Sequence, residues 1–141
     1  MKLVQISLLT LALVSAFIPA IALAQPTDLP TPNGDGDYRG NISYRTWITM
    51  DTDPNGLNCR WSSEMPEDWV DPRAVYPRRN IIEWTVIRSF TQNTLLVANN
   101  DPAGFVILRD EDNKPWLKVQ IGSSNQICLV RANSNFIRPF R

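Results

Sequence analysis

The residues best equipped for recognition in this chain are its aromatics. Five tryptophans and three tyrosines in 141 residues offer rigid surface with a polar handle, the contact area that binding sites favour. Trp61, Trp69, Tyr76 and Trp84 border or lie within one long charged stretch, residues 61–83, interrupted by Pro66, Pro72 and Pro77. Trp116 falls in phase with Lys118 and Gln120, on a strand face expected to point outward. These five are the candidate ligand-binding residues. Trp47 and Trp84 are also the tryptophans most suited to a core. Arg60, Arg78, Arg79 and Arg131 add cations able to pair with acidic groups of a ligand.

Covalent chemistry is harder to find. The chain has no histidine, which removes the commonest general base and metal ligand. Ser-His-Asp and Cys-His arrangements are thereby excluded, as is a zinc site built on imidazole. Glu64, Glu67, Glu83 and several Asp clusters could in principle supply the carboxylate pair of a glycoside hydrolase. All of them sit in turns or excursions where solvated carboxylates are the norm. Asp51-x-Asp53-x-Asn55-Gly56 matches the opening of a calcium loop. Its position 12 is Ser62 rather than a glutamate, and Pro54 stiffens it, so an ordinary turn is the expectation. No catalytic residue and no cofactor are predicted. Fourteen basic residues balance fourteen acidic ones, which argues against a nucleic-acid partner.

The elements that must position these residues begin after an address. Lys2 precedes an apolar run from Leu3 to Leu23, closed by Pro19 and then Ala22-Leu23-Ala24. That pattern predicts a secretory signal peptide over residues 1–24, cut between Ala24 and Gln25, in a secreted or periplasmic protein. Retention of the segment as a membrane anchor is the alternative. Residues 25–41, dense in Pro, Gly and Asp, read as a disordered linker. Cys59 and Cys128 each fall on the apolar face of a strand, and an exported chain favours joining them as a disulfide over leaving two buried thiols. Residues 42–141 then read as one all-β domain, with strands at 44–50, 57–62, 84–90, 94–98, 105–109, 116–121 and 127–132 and a closing Phe136-Ile137. Leu117, Val119 and Ile121 are expected inward.

Four segments carry a resemblance. Leu57-Asn58-Cys59-Arg60 looks like the "LNVR" opening of the bacterial SH3 (SH3b-type) family, and Trp116-Leu117-Lys118-Val119 like its "W-x-K-V" strand. Ile127-Cys128-Leu129-Val130 stands where that family has "G-W-V", and residues 132–139 resemble its tail. The resemblance covers about residues 45–139, and the chain also resembles exported cyanobacterial SH3 domain-containing proteins. The resemblance implies a small SH3-like barrel of about five to seven short strands. It also implies a non-catalytic binding module that recognises a cell-wall peptide or glycan, or an envelope protein segment. The same residues admit a structural or calcium-dependent envelope component, or a carboxylate-based wall hydrolase.

Overall fold

The computed structural model describes residues 28–63, 65, 79–101, 104–123 and 126–141. The predicted signal peptide and its Ala24–Gln25 cleavage point lie outside the described residues, as do Trp69, Tyr76 and Arg78. No helix among the described residues is long and apolar enough to cross a membrane.

The domain is all-β, with eight short strands among the described residues against the expected five to seven or so. They are β1 (Thr46–Thr49), β2 (Leu57–Trp61), β3 (Thr85–Phe90), β4 (Leu95–Val97), β5 (Ile107–Arg109), β6 (Pro115–Gln120), β7 (Ile127–Arg131) and β8 (Ile137–Pro139). A 3-10 turn, Ile81–Glu83, precedes β3. β-Branched and aromatic runs form the strands, and Asx chemistry forms the turns between them. Asn93 and Asn113 adopt positive φ in the β3–β4 and β5–β6 turns, a conformation Asn tolerates better than most side chains.

The strands form two antiparallel sheets, β4-β1-β8 and β3-β2-β7-β6-β5. In the smaller sheet Thr49 lies opposite Ile137, so the first strand pairs with the last. In the larger, Arg60 lies opposite Leu129 and Leu117 opposite Val130. Between the pairs Cys59↔Arg88 and Arg60↔Val86, Ile87 has no opposite residue, a bulge in the edge strand β3. Gly56, at φ 79°, lets β2 start against β3: a Cβ there would come within 2.7 Å of the Phe90 carbonyl oxygen.

The main core lies between the sheets. Trp47, Leu57, Cys59, Leu96, Leu117, Val119, Cys128, Val130 and Ile137 are all buried there. Cys59 and Cys128 form a disulfide across β2 and β7, joining residues 69 apart in sequence. A second cluster covers the opposite face of the five-stranded sheet, made by Ile81, Trp84, Phe105, Leu108, Trp116 and Leu129. That cluster corrects one expectation. Trp116 and Lys118, expected outward, are 1% and 0% exposed. Leu117 and Val119 do face the main core, but β6 is buried on both sides, and period-2 alternation cannot report what covers the second side.

The lead segment is a second correction. From Asp28 onward it is described, and Asp37 and Tyr38 belong to the domain rather than to a disordered linker. The Asp37 carboxylate accepts from Arg131 Nη2 at 2.7 Å, Arg39 Nη2 at 2.7 Å and Asn133 Nδ2 at 3.0 Å. The Tyr38 amide donates to the Ala132 carbonyl, and its ring meets Trp47 edge-on at 4.9 Å. Burial raises the Asp37 pKa, but the bonds from Asn133, Arg131 and Arg39 outweigh it and hold the group below the ordinary carboxylate value.

Two outcomes follow from this packing. Replacing both cysteines by Ala removes the constraint on a loop of 69 residues and lowers unfolding free energy by roughly 4 kcal/mol, read as a fall in the urea midpoint. Asp37 stabilises the fold above its unfolded value of about 3.9, and this contribution disappears as pH falls through the lower folded value. Between pH 5 and 2 the wild type therefore loses more stability than Asp37→Asn, measured by urea unfolding at each pH.

Candidate functional site

A cleft of about 390 Å³ opens on the outer face of the five-stranded sheet, within the usual range of roughly 300–1,000 Å³ for small-ligand sites. β2 and β7 supply Asn58, Arg60 and Arg131, and β6 supplies Trp116. The β1–β2 turn contributes Asp51, Asp53 and Gly56, and the β5–β6 turn contributes Lys114. Ile82 of the 3-10 turn, 50% exposed, and Phe136, just before β8, add apolar surface.

Local hydrogen bonding fixes the acidic side of the cleft. Asp51 Oδ1 accepts from the Asp53 amide at 3.0 Å. Asp53 Oδ1 accepts from the Asn55 amide at 2.8 Å and from its Nδ2 at 3.0 Å. These are Asx turns, each carboxylate satisfying the backbone two residues on. The calcium candidates Asp51, Asp53 and Asn55 thus build a turn. Among the described residues no group of three or more His, Cys, Asp or Glu could hold a metal ion.

The cations are fixed differently from one another. Arg131 donates through Nη1 to the Pro115 carbonyl at 2.8 Å and through Nη2 to Asp37, so it ties the lead segment to the sheet. Lys114 Nζ lies 2.9 Å from Asp112 Oδ2, and that hydrogen bond raises its pKa. Its place is set by Asp110, which is buried rather than solvated. Asp110 accepts from the Lys114 amide at 2.8 Å and from Trp116 Nε1 at 2.8 Å. Arg60 is half-buried and donates through Nη1 to the Trp84 carbonyl at 2.8 Å. Desolvation lowers its pKa.

Of the predicted ligand-binding residues that are described, Trp61, Trp84 and Trp116, only Trp116 lines the cleft, as its buried floor. Trp84 is buried in the second cluster and contributes its carbonyl to Arg60. Trp61, 39% exposed, lies outside the cleft lining. Strand phase already placed Asn58, Arg60, Arg131 and Trp116 on outward faces. The missing information was that β2, β7 and β6 are neighbours, which brings those four residues together. Ile82 and Lys114 carried no sequence signal of their own.

Lys118 lies deeper on the same sheet face. Its Nζ donates to the Asp101 carbonyl at 2.6 Å and lies 5.0 Å from the centre of the Phe105 ring. Burial lowers its pKa to about 8, against the opposing pull of the Asp101 charge. Comparison of the chain with protein-family models, curated proteins and solved structures returns no match.

The lowered Lys118 pKa has a measurable sign. Above about 8 and below the unfolded value of about 10.4 the unfolded chain binds the extra proton. Stability therefore rises with pH across that window, by on the order of 2 kcal/mol, as the cost of a buried charge is relieved. Lys118→Met removes this rise, which urea unfolding at pH 7.5, 9 and 10.5 detects.

Proposed function

We propose that this protein is an exported, non-catalytic binding module with an SH3b-like barrel, and that its outer-face cleft recognises cell-wall peptide. The observation that carries the proposal is the cleft itself, where Ile82 and Phe136 add apolar walls above a buried Trp116 floor, beside carboxylates and cations. Sites that orient small extended ligands combine apolar surface with a few placed polar groups in this way.

Several features support it. The segments resembling the SH3b-type family fall on β2, β6, β7 and the turn into β8. β5, β6 and β7 form an antiparallel meander, and β8 returns to β1. The buried Cys59–Cys128 disulfide is compatible with an oxidising compartment outside the cytoplasm. Fold alone does not specify function, so the weight rests on the cleft.

Co-sedimentation with purified peptidoglycan sacculi tests the proposal. The wild type is expected to be retained saturably. Ile82→Glu, at an exposed cleft position, abolishes retention, whereas Trp61→Ala, outside the lining, leaves it unchanged. Protein that stays in the supernatant, or retention that depends on Trp61 and not on Ile82, overturns the assignment.

A further inference from the structure

Two of the three cations lining the cleft already have carboxylate partners: Arg131 pairs with Asp37 and Lys114 with Asp112. Arg60 pairs with no carboxylate among the described residues, and its hydrogen bond is to the neutral Trp84 carbonyl. A guanidinium is a planar fork of five N–H donors that matches a carboxylate. Partial withdrawal from water without a counter-ion costs free energy that an arriving anion relieves.

Asp51 and Asp53 line the same cleft. Their carboxylates accept hydrogen bonds from the amides of their own turn and from Asn55 Nδ2. Among the described residues neither forms an ion pair. One cleft therefore presents charge of both signs, and no ion pair joins Arg60 to Asp51 or Asp53 among the described residues. A simple anion seated on Arg60 would leave the two carboxylates unmatched, and a simple cation would leave Arg60 unmatched. A ligand with one charge of each sign satisfies both ends, and the wrong single charge meets repulsion at the other.

We propose that the cleft is selective for a zwitterion, a short peptide or amino-acid derivative whose carboxylate sits on Arg60 and whose ammonium sits on Asp51 and Asp53. This rests on the cleft being the binding site and adds the charge pattern and polarity of what it takes.

The probe is the tripeptide Ala-Ala-Ala, with its N-acetylated and C-amidated forms, titrated into the purified protein while the amide resonances of Gly56 and Leu57 are followed by NMR. The free tripeptide is expected to shift both resonances, and each cap to weaken binding about tenfold or more, the scale of one charge-assisted contact. Arg60→Gln should bind the free and amidated peptides alike and still prefer the free amine. Asp51→Asn with Asp53→Asn should do the reverse. The caps report on the wild type, so the test stands even where a variant fails to fold. Capped and free peptides binding equally, or an absence of shifts, overturns the zwitterion. Equal binding of capped and free forms alongside sacculus retention lost in Ile82→Glu overturns it while leaving the wall-binding cleft intact. Discrimination between the caps without sacculus retention supports it and overturns the wall assignment.

Discussion

β6 must be dry on both faces, and much of the molecule is arranged around that constraint. Leu117 and Val119 face the space between the sheets, while Trp116 and Lys118 face the other way and are equally buried. Apolar surface left in water costs about 25 cal/mol per Å², so a strand of this kind needs cover from two directions. The three-stranded sheet supplies one cover. Ile81, Trp84, Phe105 and Leu108 supply the other, from the 3-10 turn, the residue that follows it and the chain around β5. The cleft lies at the margin of this second cover, where Trp116 still forms a floor and the 3-10 turn presents Ile82 as a wall.

Charge is divided between holding the fold together and facing the cleft. Asp37 gathers Arg39, Arg131 and Asn133, and so fastens a segment rich in Gly and Pro to the end of β7. Asp110 performs a similar task at the β5–β6 turn, where it holds the Trp116 indole and the Lys114 amide. Buried carboxylates of this kind are stable because their oxygens are met by several donors. Arg60 differs: β2 carries it to the same face as Arg131, but Asp37 is already committed elsewhere.

Strand positions and inner faces were legible in the sequence because β-branched runs, turn residues and period-2 alternation are local signals. The disulfide was legible too, since strand phase set both cysteines on apolar faces. The outer face was not. Trp116 and Lys118 alternate with Leu117 and Val119 as they would on a half-solvated strand, and the residues that cover them come from elsewhere in the chain. Asp37 and Tyr38 were hidden by the composition around them, because Arg131 and Asn133, which hold the Asp37 carboxylate, and the Ala132 carbonyl that takes the Tyr38 amide are distant in sequence. The cleft was hidden for the same reason. Arg60 and Trp116 become neighbours only when β7 lies between β2 and β6.

The pairing of β1 with β8, and of β2 with β7, also governs when the chain can fold. β1 and β2 each have one partner nearby in the chain, β4 and β3, and one far along it, β8 and β7, so each sheet is completed only when the late strand is present. Loops this long must close before non-local contacts contribute, which slows folding. The β2–β3 hairpin can form earlier, but an isolated hairpin is marginally stable at best in water. The contacts that join β1 to β8 and β2 to β7 therefore make completion of both sheets a property of nearly the whole described domain rather than of any local piece of it.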